Sequence, residues 1–193
     1  MNLLVFSPTN SFDTFVEFWS QFYDYKSPFE LNYDKHIKIG KPFTHKDILE
    51  LFEFVYHTGL GRIRTEAIKD KIYPHLDYIN DMKFEDSIKL DEFHSKFESS
   101  PAVTRTFLLH IIKPNVYPLY DQNIHVAYNI IHGIDSDIYP FPRRNEDKMK
   151  FYFRKLVPFI ESNRGIHSLK KIDEALNSFG QLVKKNPKFK YEF

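Results

Sequence analysis

Cysteine is absent from the 193 residues, which excludes disulfides, thiolate nucleophiles, iron–sulfur clusters and cysteine–zinc sites together. Glycine is scarce, with six residues that cluster nowhere except Gly59-Leu60-Gly61. That stretch lacks the third glycine and preceding strand of a dinucleotide loop, and no Walker lysine follows it. It reads as a helix C-cap and turn. No Gly-x-Ser-x-Gly elbow occurs, so hydrolase chemistry of that kind has no support. Apolar runs are short. The opening Met1-Asn2-Leu3-Leu4-Val5-Phe6 carries no basic residue, so neither a signal peptide nor a membrane span is expected. The expectation is a soluble, cytoplasmic protein with no membrane partner. Internal repeats, low-complexity stretches and Gly/Ser linkers are missing too, as befits one compact domain over residues 1–193, with room for two lobes.

What the chain does have is aromatic mass. Phe and Tyr number 20 and 12 against three Met and a single Trp, and 42% of residues are hydrophobic, enough for a sizeable core. The net charge of +1 conceals a split along the chain. Residues 1–100 hold 12 Lys+Arg against 17 Asp+Glu, and residues 101–193 hold 15 against 9. Such a split points to one face polarised toward an anionic partner. The isoelectric point of about 7.9 is low for a nucleic-acid-binding domain.

Apolar spacing is helical almost throughout, which predicts a mostly α fold. Phe12, Phe15, Val16, Trp19, Phe22 and Tyr23 recur at three- and four-residue steps behind the capping candidates Asn10 and Ser11. Thr44 to Asp47 has the form of a capping box, opening a helix through Ile48, Leu51, Phe52 and Val55. Further helices are expected over 62–73, up to Pro74, and over 90–97. Ser100-Pro101 reads as a capping residue with proline at the first helical position, starting a helix that ends before Pro114. The next runs from Asn123 to Ile131 and is closed by Gly133. One from about Asn145 to Glu161 has Pro158 inside it, and the last spans Lys170 to Lys185. Only Asn32 to Ile39 has a pattern that suits a strand.

Chemistry concentrates in Ser100 to Asn129, SPAVTRTFLLHIIKPNVYPLYDQNIHVAYN. An apolar helix ends at Pro114, and a tight loop carries Tyr117 and Tyr120 around Pro118. Asp121 then stands at the head of another helix, where the dipole and backbone N–H groups stabilise negative charge. An Asp before a helix is also an ordinary N-cap, and the two roles are compatible. Arg143, Arg144, Lys148, Lys150, Arg154 and Lys155 form a basic stretch opposed only by Glu146 and Asp147. It is either a solvated helix face or a surface toward phosphates. The basic tail from Lys184 to Lys190 reads as a solvated terminus. His110, His125 and His132 show no metal-ligand spacing, and Asp173 reads as a surface charge or helix pairing partner.

The order of a small-residue turn, an apolar helix and then Pro-x-x-Asp-x-Asn-Ile-x-x-Ala resembles the active-site segment of the helix-hairpin-helix DNA glycosylase superfamily. The likeness covers roughly residues 98–131. Pro118-Leu119-Tyr120-Asp121-Gln122-Asn123-Ile124 is most similar to the adenine-excising branch. The resemblance implies a two-lobed helical fold with the active-site cleft between the lobes. It also implies a flipped-out base, cleavage of its N-glycosidic bond in DNA repair by base excision, and no cofactor or metal. The partner would be duplex DNA holding a damaged or modified base. Asp121 would be the catalytic carboxylate, with Tyr120 and Asn123 shaping the substrate pocket. Family hairpins are glycine-rich so that the backbone can approach a phosphate. Here Pro101-Ala102-Val103-Thr104-Arg105 stands in that place, so DNA contact would fall to Thr104 and Arg105, joined by Arg143 and Arg144. The position of the lysine nucleophile of bifunctional members is held by Thr106, so the resemblance implies a monofunctional enzyme. Two other readings stay open on the residues alone: a helical nucleic-acid-binding module without catalysis, and a helical protein–protein adaptor that uses the Phe/Tyr excess at an interface.

Overall fold

A computed structural model describes residues 11–25, 28–38, 40–56, 59–135 and 140–185. Among these residues the chain is helical, with no strand. Asn10, Ile39, the loop residues 136–139 and the tail residues 186–190 lie outside the described residues. The chain divides into two compact units, residues 24–113 on one side and residues 1–23 with 114–193 on the other.

In the 24–113 unit, α2 (Pro28–Lys38) packs against α3 (His45–Tyr56). The segment expected as a strand is thus helical. Its buried residues Glu30, Tyr33 and His36 recur every three positions, a helical face that alternation does not describe. The capping box at α3 forms in both directions: the Thr44 N–H donates to Asp47 Oδ2 at 2.8 Å and the Asp47 N–H to Thr44 Oγ1 at 3.3 Å. Then come α4 (Arg62–Lys71), a 3-10 turn (Tyr73–His75), α5 (Leu76–Phe84), α6 (Leu90–Lys96) and α7 (Ala102–Ile112). Gly61 is the N-cap residue of α4, so the second glycine of the pair begins a helix. Pro74 sits in the first turn of the 3-10 segment, where its missing N–H costs nothing, and α5 follows directly. The sequence pattern hides α5 because only Ile79 and Met82 of it are buried. Pro101 takes the N-cap position of α7, one place earlier than expected, and Ser100 is buried with its hydroxyl unpartnered. The core of this unit is aromatic: Tyr33 on Phe54, and Phe52 and Phe54 on Phe107.

In the other unit α1 (Phe12–Ser20), α8 (Gln122–Ile131), α9 (Asn145–Phe151), α10 (Val157–Asn163) and α11 (Leu169–Lys185) surround one core. Ser11 caps α1, accepting the Thr14 N–H at 3.2 Å. The helix ends at Ser20, and Phe22, assigned to its apolar face from spacing, is 63% exposed. Phe15 and Trp19 pack on Phe179 of α11. Gly133, at φ 65°, closes α8, taking a left-handed conformation that costs glycine little. Between α9 and α10 a π-helical turn covers Tyr152–Leu156, with the Val157 N–H reaching back to the Tyr152 carbonyl. The cause is Pro158, which has no N–H to give Arg154 and whose ring would strike that carbonyl.

The charge split of the sequence does not follow these units. The 24–113 unit holds 14 Lys+Arg against 15 Asp+Glu, and the other holds 13 against 11. Acidic Asp13 and Glu17 fold with the basic C-terminal half and dilute it.

Candidate functional site

The loop from Tyr117 to Asp121 is held from three sides. The Tyr152 hydroxyl, fully buried in the π turn, donates to the Pro118 carbonyl at 2.8 Å. The Leu119 N–H donates to Asp173 Oδ2 at 2.9 Å. Asn177, one turn further along α11, donates through Nδ2 to Asp121 Oδ2 at 2.9 Å, and Gln181, another turn on, donates to Asn177 Oδ1 at 2.8 Å. The second Asp121 oxygen caps α8, accepting the Ile124 N–H at 2.8 Å. Asp121 is therefore the N-cap residue of α8 with its carboxylate plane fixed by donors on two different helices.

The residues behind this arrangement fall at four-residue steps on α11: Asp173, Asn177 and Gln181. Asp173 is 2% exposed, which corrects its reading as a surface charge. Burial pushes its carboxyl well above the usual carboxylate range, against the lowering effect of the Leu119 N–H and Lys170; the nearby Glu174 and Asp121 push the same way as burial. Its Oδ1 is enclosed with no hydrogen-bond partner. Burial thus favours the neutral form of the acid that accepts the loop's Leu119 N–H, which lessens the negative charge beside Asp121. A four-residue polar period inside an apolar helix was the available signal for these positions.

Close approach of α11 to α8 makes these bonds possible. A Cβ at Gly180 would stand 2.0 Å from the Asn123 carbonyl oxygen and 2.6 Å from its carbon, so only glycine lets the helices come this near. Asn123 contributes that carbonyl to the packing, while its side-chain oxygen accepts from Lys184 Nζ at 3.0 Å. Tyr120 is buried, its ring stacked on Phe151 and its hydroxyl 3.1 Å from His125 Nδ1. Arg143 is exposed, and Arg144 pairs with Glu146 at the surface. Thr104 and Arg105 lie on α7, in the other unit. Arg105 is half-buried, with Nε enclosed and unpartnered. Thr106 is fully buried and its hydroxyl donates to the Val103 carbonyl.

Along α8, one turn and more beyond Asp121, a groove of about 800 Å3 opens against α9 and the π turn. His125, Tyr128 and Asn129 form one wall; Lys150, Phe151, Arg154 and Lys155 form the other, with Asp147 at its edge. Of the expected basic stretch, Lys150, Arg154 and Lys155 line the groove, Arg143 and Arg144 do not, and Lys148 lies over the Phe141 ring at 4.8 Å. Among the described residues no group of three or more His, Cys, Asp or Glu side chains is arranged to hold a metal ion, and no helix is long and apolar enough to cross a membrane.

No protein-family model, curated protein or solved structure matches this chain.

Proposed function

We propose that the protein is a monofunctional DNA glycosylase-like enzyme that cleaves the N-glycosidic bond of a damaged or modified base flipped out of DNA. The reading is carried by Asp121: a carboxylate at the head of α8, both oxygens oriented by hydrogen bonds, in a loop clamped through Tyr152, Asp173 and Asn177. Such a group suits an oxocarbenium-like transition state. Its negative charge lies where positive charge develops on the sugar, and it is already oriented, so no reorganisation is needed during reaction. The segment Pro118–Ile124 supplies the resemblance, and Thr106, buried and not lysine, accords with hydrolysis rather than Schiff-base lyase chemistry.

The test is base release from a panel of duplexes carrying damaged and naturally modified bases. Asp121→Asn retains an acceptor for the Ile124 N–H and so keeps the cap. It is expected to lose about 10²–10³-fold in the rate of abasic-site formation, the scale of removing one oriented electrostatic group. Base release by Asp121→Asn equal to wild type would remove Asp121 from the mechanism. Salt-sensitive DNA binding by wild type with no abasic product on any duplex would instead select the non-catalytic nucleic-acid-binding reading.

A further inference from the structure

The groove along α8 is chemically distinct from the Asp121 loop. Its cationic side is set by helical geometry: Lys150, Phe151, Arg154 and Lys155 follow one another at steps that share a single face. Among the described residues none of Lys150, Arg154 and Lys155 makes an ion pair with a carboxylate, and Asp147 is the sole acid in the lining. Three other cations of the unit are paired with carboxylates. Lys171 pairs with Glu17, Lys170 with Glu174, and Arg144 with Glu146. Beside the cations stand three rings, Phe151 from the same helical segment and Tyr128 and His125 from α8, set at steep angles to one another. Phe151 packs edge-on to Tyr128 at 4.9 Å and lies 4.3 Å from the His125 ring. The volume falls in the range of small-molecule sites, which are mostly apolar with a few convergent polar groups.

From this juxtaposition we infer that the groove is a nucleotide-binding site, in which Lys150, Arg154 and Lys155 take the phosphate and the wall of His125, Tyr128 and Phe151 takes the base. Cations beside an aromatic platform are the pairing that nucleotide recognition uses, charge for the backbone and ring surface for the base. Arg154 and the two lysines differ in role: the guanidinium fork suits two phosphate oxygens at once, the ammonium groups act as point charges. The π turn assists by swelling the helix where Arg154 and Lys155 leave it. The same chemistry is offered by a free mononucleotide and by a nucleotide of a single strand.

The experiment measures binding of dAMP, of deoxyadenosine and of fluorescein-labelled single-stranded dT10 to the full chain, for wild type, Asp121→Asn and the double variant Arg154→Gln/Lys155→Gln. The two substituted side chains are exposed, and an unchanged thermal midpoint verifies that the double variant folds. Expected are saturable binding of dAMP or dT10, at least tenfold weaker binding of deoxyadenosine, a loss of tenfold or more in the double variant, and no change in Asp121→Asn. Binding of dAMP assigns a free nucleotide, and binding of dT10 alone assigns a strand. Failure of both to bind wild type, or equal binding by the double variant, overturns the inference. So does deoxyadenosine binding as well as dAMP. Because Asp121→Asn is expected to slow base release while leaving the groove intact, failure here and failure of the glycosylase reading are separable.

Discussion

Replacing Gly180 with alanine probes the packing that delivers Asn177 to Asp121. Helix propensity alone predicts a gain: Gly180 lies inside α11, and alanine is better than glycine there by about 1 kcal/mol. The structure predicts the reverse. The added Cβ would lie 2.0 Å from the Asn123 carbonyl oxygen, 2.6 Å from its carbon and 3.0 Å from its Cα. All three atoms are backbone, so no side chain can rotate away and the two helices must separate. Overpacking of this kind costs about 1–3 kcal/mol, and rigid backbone on both sides puts it at the upper end or beyond. After the propensity gain, a net loss of about 2 kcal/mol remains, equivalent to a fall of roughly 4–8 °C in thermal midpoint for a chain of this length.

Calorimetry or circular dichroism measures this directly, with Gly61→Ala as control. Gly61, the N-cap residue of α4, has an ordinary φ of −66° and nothing within 4 Å of the added Cβ, so alanine there loses only capping preference, about 1 kcal/mol or less, and its midpoint should fall less than that of Gly180→Ala. Separation of α11 from α8 also stretches the Asn177–Asp121 bond, three residues away on the same helix, so base release should fall with stability. An unchanged or raised midpoint in Gly180→Ala would refute the close-approach argument and with it the reason given for the position of Asn177.

Two further outcomes concern buried and half-buried acids. The folded Asp173 carboxyl is raised above its unfolded value, chiefly by burial. The native state therefore holds a proton that the unfolded chain has released, and stability falls as pH rises from about 4 through the raised value. Asp173→Asn keeps an acceptor for Leu119 and has no proton to lose, so its midpoint should gain on wild type as pH rises above about 4; a difference independent of pH would refute the raised carboxyl. Glu50 behaves oppositely. The hydrogen bond from His36 at 2.6 Å lowers its carboxyl, with Lys35, His36 and Lys46 adding charge attraction against a smaller burial effect. Its stabilisation is present above the unfolded value and is lost as pH falls through the folded one. Glu50→Gln should accordingly flatten the acid limb of a midpoint-against-pH curve between pH 5 and about pH 3, and parallel curves would count against it.

Helix positions were legible where local chemistry decides them. Ser11, Thr44 with Asp47, Asp121 and Gly133 all terminate helices through groups within four residues of themselves, so the signal and its cause sit in the same window. The sequence failed where a helix lacks a full apolar face. The buried residues of α2 include Glu30 and His36, and His36 is made tolerable by partners on α3, Asp47 at 3.1 Å and Glu50 at 2.6 Å. Read without α3, the same residues look like an exposed and irregular segment.

The candidate site divides along the same line. Asp121 was visible because a capping carboxylate after a proline-rich loop is a local pattern. Asp173 and Asn177 were not, since 56 residues separate Asn177 from Asp121 and 54 separate Asp173 from Leu119. On an isolated helix, Asp173 beside Glu174 and behind two lysines has every mark of a solvated charge. Its burial is imposed by the loop arriving from the other end of the unit with an unpaired backbone N–H, which costs about 1–3 kcal/mol if left unsatisfied. The loop therefore needs an acceptor there, and the acceptor in turn must be enclosed, which makes neutrality the cheaper state for it. That requirement follows from the assembled unit and from no shorter piece of it.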